Sequence, residues 1–263
     1  VFVAVEAALS TQVIQEKVKA VDSYTTNYVG IDLILDGIAV QSSSNDAAKF
    51  AEAVKAVRAV TKRPLILVCS DPGVMEAGLK ALPGESPLVC AADSSNWQAM
   101  AGLAKAVKTS LVVKSGDLEE MADLTEKIKA AGLEDLVLWP QADTLGASLA
   151  LNTQIRRLAL KKNFRALGFP TIAFAASPEA AAQAIAKYAG FVVIDDFAPE
   201  LVYPLLVLRE NIYTDPQKPI QVQPGVYEIN SPKPDSPVLV TTNFSITYFS
   251  VANEVEGSGL PAW

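Results

Sequence analysis

Short apolar runs alternate along most of the chain with longer segments in which apolar positions recur at helical spacing. Such runs, nearly continuous in Val, Ile, Leu and Ala, are typical of strands that are buried on both faces of a parallel sheet. We therefore predict strands at residues 1–5, 33–40, 65–69, 87–91, 110–113, 135–139, 171–175 and 191–194.

The segments between these runs predict helices near residues 12–22, 46–60, 73–81, 96–108, 118–131, 144–165, 178–189 and 199–212. Asp71-Pro72 and Ser177-Pro178 are typical helix starts, and Gly132 is a typical helix end. Eight strand–helix units within about 210 residues predict an α/β fold, a (β/α)8 TIM barrel over residues 1–213. A doubly wound open sheet is the alternative, although no G-x-G-x-x-G follows the first strand.

The pattern changes after the eighth helix. Residues 214–237 are rich in proline and lack periodicity, which indicates a connection. Residues 238–242 predict a strand. We favour a helix that starts at Asn243 as its cap, ends at Gly257 and stacks Phe244, Thr247, Tyr248, Val251 and Val255 on one stripe. The alternative is a continued strand that groups Phe244, Ile246 and Tyr248.

Both ends of the chain are unusual. Val1 lies inside an apolar run, and Trp263 directly follows Leu260-Pro261 instead of a polar tail. We therefore expect the sequence to be a piece of a longer polypeptide, with its first strand cut short.

The composition excludes several kinds of site. A net charge of −7 without a basic run argues against nucleic acid or an anionic membrane as a partner. There is no histidine, and two cysteines are too few for an iron–sulfur cluster, which takes about four thiolates. Cys69 and Cys90 lie in apolar runs and predict buried thiols. Reduced cysteines, no signal peptide and no membrane span indicate a cytoplasmic protein.

Polar residues that follow the strands are expected to face the mouth of the barrel, where barrel enzymes place their working groups. They are Glu6, Gln41, Ser42, Ser70, Asp71, Asp93, Asn96, Lys114, Gln141, Asp195 and Asp196. For the aspartates we favour helix capping and turns, and for Lys114 a solvated or ion-paired role. The alternatives are an enzyme that binds a pterin through Asp71, Asp93 and Asn96, and a Schiff-base lysine at Lys114.

The densest basic cluster is Arg156-Arg157 with Lys161-Lys162. Arg157 and Lys161 share one face of the predicted helix because they are four residues apart. We favour a solvated outer face of the barrel. A docking patch for an acidic partner is the alternative.

Four separated blocks resemble one known family. They are LVLWPQADT, NTQIRRLALKKNFRALGFP, LRENIYTDPQKPIQV and SPVLVTTNFSITYFSVANEVE. The chain resembles, over nearly its whole length, the large (gamma) subunit of the corrinoid iron–sulfur protein. That protein belongs to the acetyl-CoA synthase/decarbonylase (CO dehydrogenase) system of anaerobic acetogens and methanogens.

The resemblance implies a domain order. The family's large subunit has an N-terminal four-cysteine [4Fe–4S] domain, a central (β/α)8 barrel and a C-terminal corrinoid-binding domain. This chain is then the barrel over residues 1–213, a connection over 214–237, and at 238–263 the start of a truncated corrinoid-binding α/β domain. The [4Fe–4S] motif and the rest of the corrinoid domain are not in these 263 residues.

The resemblance also implies a function. The family carries a methyl group on its corrinoid cobalt from a methyl-tetrahydropterin to acetyl-CoA synthase, in the reductive acetyl-CoA (Wood–Ljungdahl) pathway or its reverse. Its partners are the small (delta) subunit, acetyl-CoA synthase, CO dehydrogenase and a pterin-dependent methyltransferase. We expect no autonomous turnover from this piece. The competing hypothesis is a barrel methyltransferase that binds methyl-tetrahydropterin in its own mouth.

Site residues follow from the same resemblance. Matched to the family's motifs, Thr242 and Tyr248 contact the corrinoid, and Asn243, Phe244 and Thr247 are their neighbours. An aromatic ring suits the flat macrocycle, and a hydroxyl or an amide suits its peripheral amides.

Overall fold

The structure is a computed structural model that describes residues 1–214 and 221–263. In chain order, its strands are β1 Phe2–Glu6, β2 Thr25–Tyr28, β3 Ile31–Ile34, β4 Gly37–Gln41, β5 Leu65–Val68, β6 Leu88–Ala92, β7 Leu111–Ser115, β8 Leu136–Pro140, β9 Ile172–Ala175 and β10 Phe191–Ile194. Its helices are α1 Thr11–Ser23, α2 Ala47–Arg58, α3 Pro72–Lys80, α4 Trp97–Ala106, α5 Leu118–Ala130, α6 Leu145–Lys161, α7 Pro178–Ala186, α8 Pro199–Thr214 and α9 Ser245–Ser258. The described residues form two compact units, Val1–Glu210 and Asn211–Trp263.

The first unit contains an eight-stranded parallel sheet in the order β8-β7-β6-β5-β4-β1-β10-β9. Its two edge strands also meet, because Leu138 pairs in parallel with Thr171 and the Leu138 amide donates to the Pro170 carbonyl at 2.8 Å. The sheet is therefore nearly closed. The predicted (β/α)8 barrel is confirmed, and the open sheet is wrong.

The inside of the barrel is filled mostly by alternate residues of the strands, since successive side chains of a strand point to opposite faces. Strand β6 is the exception, because its register is irregular between Val89 and Ala92. The buried interior cluster is Phe2, Ala4, Ala39, Ile66, Leu88, Cys90, Ala91, Val112, Val137, Ile172 and Val193. Cys69 and Cys90 are both free and buried, as predicted. Burial raises the pKa of both thiols, so neither is set up to supply a thiolate at neutral pH.

The prediction of one strand over 33–40 is wrong. The structure divides this run into β3, which ends an antiparallel β2–β3 hairpin, and β4, which belongs to the barrel. Asp36 separates the two, and its carboxylate pairs with the Arg209 guanidinium. The hairpin turns at Val29 and Gly30, whose φ values of 50° and 82° are those of a two-residue hairpin turn.

Helices α3 and α7 start at the residues that the sequence predicts. Asp71 and Ser177 cap α3 and α7, accepting from the Val74 and Ala180 amides. Gly132 follows the end of α5 with a φ of 88°, as a helix-ending glycine should. Helix α6 ends at Lys161, earlier than the predicted residue 165.

The second unit has α9 as its helix after residue 220, packed among irregular segments. The helix predicted there is confirmed, but Phe244, not Asn243, is its N-cap, and it ends at Ser258 with Gly259 as its C-cap, not at Gly257. The strand predicted over 238–242 is wrong. In its place, the Leu239 backbone amide donates to the Trp263 carbonyl at 2.9 Å, and the Trp263 backbone amide donates to the Pro237 carbonyl at 3.0 Å. These bonds do not continue into a regular β-ladder. Residues 215–220 of the predicted connection lie outside the described residues.

Candidate functional site

A cavity of about 350 Å³ lies within the second unit. Three of the predicted site residues, Thr242, Asn243 and Tyr248, line it. The other lining residues are Val222, Gln223, Pro224, Gly225, Val226, Tyr227, Ile229, Val238, Leu239, Val240, Thr241, Val251, Ala252 and Trp263. The wall is therefore mainly apolar, with hydroxyl and amide groups at a few places, as in most ligand sites.

Two segments far apart in sequence are joined to form this wall. The Val222 amide donates to the Asn243 carbonyl at 2.9 Å, and the Asn243 side-chain amide donates back to the Val222 carbonyl at 3.4 Å. At the other end of α9, the side-chain Nδ2 of Asn230 donates to the Val255 and Leu260 backbone carbonyls, both at 3.0 Å. Asn243 and Asn230 therefore hold the segment that begins at residue 221 against the helix.

Tyr248 supplies an aromatic part of the wall. Its ring centroid lies 4.8 Å from that of Tyr227 and 5.2 Å from that of Phe249. The Tyr227 hydroxyl donates to the Gln223 carbonyl at 2.6 Å, which fixes the orientation of that ring. Such paired aromatic rings offer a large and rigid apolar surface. The arrangement can bind the flat, mostly apolar part of a ligand.

The remaining predicted residues lie beside the cavity. Phe244 is 38% exposed, and its carbonyl accepts the Tyr248 amide at 2.9 Å in the first turn of α9. Thr247 is half-buried. Neither side chain lines the cavity. Their contact with a ligand stays a prediction.

Sequence reasoning missed Tyr227 and Trp263. Tyr227 comes from the proline-rich stretch, where no periodicity marks a buried face, and Trp263 is the last residue of the sequence. The Trp263 indole nitrogen donates to the Lys233 carbonyl at 3.0 Å, which places the ring at the cavity. The available signal for a site role was that Tyr227 and Trp263 are each the lone aromatic residue of their segment.

The polar residues of the barrel mouth are mostly engaged with one another. Gln41 donates to Glu6 at 2.8 Å, and Lys17 pairs with Asp196 at 2.8 Å. Asp93 accepts from the Ser95 amide and hydroxyl at 2.9 and 2.6 Å. Capping by Asp71 and a turn role for Asp93 are therefore confirmed.

The Asn96 side-chain amide, which the pterin hypothesis needs for ligand binding, is already occupied by hydrogen bonds within the protein. The Asn96 side chain donates to the Ser70 and Ala91 carbonyls at 2.8 and 3.3 Å and accepts from the Asp93 amide at 2.8 Å. Burial alone would raise the pKa of Asp93, but hydrogen bonds from Ser95 and the Lys114 charge outweigh burial and keep this pKa below its ordinary value. Asp93 is therefore ionised at neutral pH.

Lys114 is half-buried, and its ammonium lies 5.4 Å from the centre of the Trp139 ring. Trp139 in turn packs on Phe174, with ring centroids 4.3 Å apart. Within residues 1–214 and 221–263 Lys114 makes no ion pair, but its ammonium contacts an aromatic face. Its half-buried side chain still reaches solvent, in keeping with the predicted solvated role.

Replacing Asp71 by alanine is expected to lower the free energy of unfolding by about 1 kcal/mol, the usual cost of a lost N-cap. The physical reason is the Val74 amide, which donates to Asp71 at 2.9 Å and would lose this partner. Urea unfolding measures the effect. Glu126→Ala removes the same charge from an exposed position of α5 and is expected to stay within about 0.5 kcal/mol of the wild type. Equal losses in both variants would contradict the cap.

Two features are absent from the described residues. Within them no group of three or more His, Cys, Asp or Glu side chains is placed to hold a metal ion. Among the helices that the structure describes, none is long and apolar enough to cross a membrane.

Comparison with known proteins gives one family over the whole chain. The family model described as "CO dehydrogenase/acetyl-CoA synthase delta subunit" matches residues 1–263. The corrinoid/iron-sulfur protein large subunit of Moorella thermoacetica is 41% identical over 97% of this chain and 58% of its own length. The acetyl-CoA decarbonylase/synthase complex subunit gamma of Archaeoglobus fulgidus is 34% identical over 97% of this chain and 58% of its own. The chain thus spans a little over half of each relative.

Similarity to solved structures supports the barrel fold and nothing further. Dihydropteroate synthase from Thermus thermophilus superposes with a TM-score of 0.56 at 17% identity, covering 81% of this chain and 93% of that one. At this identity the likeness shows the fold and says nothing about the ligand.

Proposed function

Because the chain belongs to the family described as CO dehydrogenase/acetyl-CoA synthase delta subunit, we propose that it is the central part of a corrinoid-binding methyl carrier. The relatives named as large or gamma subunits, at 41% and 34% identity, favour the large (gamma) subunit as the whole protein. That subunit carries a methyl group between a methyl-tetrahydropterin and acetyl-CoA synthase.

The cavity of the second unit is the observation that carries this proposal. It is lined by Thr242 and Tyr248, which the resemblance assigns to corrinoid contact, and by their neighbour Asn243, and it joins this motif to the distant segment that contains Tyr227. A corrinoid supplies a cobalt that accepts and releases a methyl group. The residues fit an edge of such a flat group, since the Tyr248 and Tyr227 rings offer apolar area and Thr242 offers a hydroxyl for a peripheral amide.

The iron–sulfur cluster in a relative's name does not fit the residues of this chain. Cys69 and Cys90 are both buried in the barrel unit, and two thiols are half of the usual ligand set. The described residues also include no metal-binding group of His, Cys, Asp and Glu. We therefore propose that the cluster is held by another part of the full-length subunit.

The barrel then serves as a scaffold. Its mouth has Asp71 and Asn96 engaged in a cap and a loop, which supports a carrier over a pterin-binding enzyme. The proposed domains are the barrel at 1–213, a connection at 214–237 and the start of a corrinoid-binding domain at 238–263. The proposed partners are the small (delta) subunit, acetyl-CoA synthase, CO dehydrogenase and a pterin-dependent methyltransferase. Free cysteines support a cytoplasmic location.

The test uses the full-length subunit, purified without oxygen together with its small subunit and supplied with a corrinoid. We expect a stoichiometric amount of corrinoid, seen by its visible absorption, to remain after gel filtration. We also expect methyl transfer from methyl-tetrahydropterin only when the methyltransferase is added. Failure to retain corrinoid would overturn the proposal. Demethylation of the pterin by this subunit alone would favour the enzyme instead.

A further inference from the structure

Helix α6 is packed against the barrel by a narrow strip. Of its 17 residues, Ile155 alone is buried, whereas α2 and α5 each bury five residues. Leucines point outward: Leu145 is 45%, Leu149 43% and Leu160 71% exposed. Their positions recur at helical spacing, so they lie on one side of the helix. The outer side of α6 is therefore an unpartnered, partly apolar surface.

The charge of this region is opposite to that of the chain. Residues 144–178 contain five cations and no acidic residue, in a protein of net charge −7. Arg156 lies over the Tyr188 ring, with its guanidinium carbon 4.5 Å from the ring centre. In the part of the chain that the structure describes, Arg157, Lys161 and Lys162 form no ion pair, and all three are exposed.

The fold itself gives a reason for only some of these charges. Cations in the last turn of a helix interact favourably with its dipole, which accounts for Lys161 and Lys162. Arg157 lies further from the helix end, and its spacing of four residues from Lys161 costs about 0.2–0.5 kcal/mol of repulsion. The exposed leucines gain nothing from the dipole. A binding surface explains these features together.

The cations border a groove on this helix. The groove has a volume of about 510 Å³ and is lined by Gln154, Arg157, Leu158, Lys161 and Lys162. With a length of roughly 25 Å for 17 residues, the helix is long enough to supply much of one side of an ordinary interface of about 800 Å².

We propose that the outer side of α6, defined by Leu145, Leu149, Arg157, Leu160 and Lys161, docks another protein that presents carboxylates around an apolar patch. The apolar patch covers the leucines, and the carboxylates neutralise Arg157 and Lys161. The proposal draws on the proposed function in one respect, since a relative's printed name describes a subunit of a complex, in which such a partner is available.

A second copy of this chain fits the surface poorly. In a twofold-symmetric dimer the same patch faces itself, so Arg157 and Lys161 would meet their own copies. Like charges placed face to face cost free energy. Helix α6 itself offers no carboxylate to offset this, because residues 144–178 contain none. The occupant is therefore a different and acidic protein.

The test uses the full-length subunit with its corrinoid and, as probe, the purified remainder of its complex. The variant Arg157→Glu/Lys161→Glu reverses both charges and is expected to weaken binding at least about tenfold, with a smaller dependence on salt. Lys19→Glu/Lys55→Glu makes the same charge change at exposed positions of α1 and α2 and is expected to bind as the wild type does. Leu149→Ala/Leu160→Ala is expected to weaken binding without changing the salt dependence.

Each other outcome overturns the inference. Unchanged binding by the charge-reversed variant would show that α6 is not the interface. Wild-type binding to vesicles of anionic lipid that is lost in the variant would assign the surface to a membrane. Dimerisation of the wild type alone, lost in the variant, would assign it to a second copy. Corrinoid absorption is recorded on the same samples, so a failure of the proposed function is seen separately from a failure of docking.

Discussion

Replacing Tyr248 by alanine is expected to weaken corrinoid binding by the full-length subunit about thirtyfold, since losing the burial of one aromatic side chain costs about 2 kcal/mol. The Tyr248 ring forms part of the cavity wall and packs at a tilt against the Tyr227 ring, with the centroids 4.8 Å apart. Alanine removes both the ring and the support that it gives to Tyr227. Titration of the corrinoid-free subunit, followed by visible absorption, measures the affinity.

Two further variants make this result specific. Tyr248→Phe keeps the ring and loses the hydroxyl, so we expect a loss of less than about fivefold, the net value of one hydrogen bond. Asn253→Ala changes an exposed residue on the other side of α9 and is expected to bind corrinoid as the wild type does. Wild-type affinity in Tyr248→Ala would remove this residue from the site. An equal loss in Asn253→Ala would show that only the stability of the helix was changed.

Replacing Gly37 by alanine is expected to destabilise the barrel by about 3 kcal/mol, at the upper end of the usual cost of overpacking. A Cβ atom at Gly37 would lie 2.1 Å from the Pro64 carbonyl oxygen and 2.6 Å from a ring carbon of Phe2. The same carbonyl accepts the Ile38 amide at 3.2 Å, where β4 begins to pair with β5. The backbone cannot yield here without loss of that pairing.

The free energy of unfolding, measured in urea, tests this expectation. Gly102→Ala is the matched control, because Gly102 lies in α4 and no heavy atom is within 4 Å of the Cβ that would be added. That change is expected to stabilise the protein by about 0.5–1 kcal/mol through helix propensity. A Gly37→Ala protein as stable as the wild type would show that β4 tolerates a shift at its first residue.

The barrel was predictable because its strands carry a local signature. A parallel strand with the sheet interior on one side and a helix on the other must be apolar at every position, and the runs at 65–69 and 191–194 show this. The run at 33–40 was predicted as one strand for the same reason, because apolar residues flank Asp36 on both sides. The structure breaks the run at Asp36, whose carboxylate pairs with the distant Arg209. The strand β2 was missed because its residues Thr25–Tyr28 are mostly polar.

The candidate site was predictable only in part. Residues of one contiguous motif, Thr242, Asn243 and Tyr248, were identified by resemblance, and the structure places all three at one cavity. The helix cap was misplaced because the Asn243 amide bonds to Val222, twenty-one residues earlier, instead of to its own helix. Tyr227 was missed because its place opposite Tyr248 depends on how that earlier segment folds back.

For this protein, the sequence by itself determined most elements of the barrel and their class, because hydrophobic periodicity and helix caps act between neighbouring residues. Closure of the barrel, with Leu138 meeting Thr171, was decided by the tertiary structure, since it joins the two edges of one sheet. The tertiary structure also decided that the outer side of α6 is exposed. The cations of α6 are visible in the sequence, but how much of a helix stays exposed depends on what packs beside it.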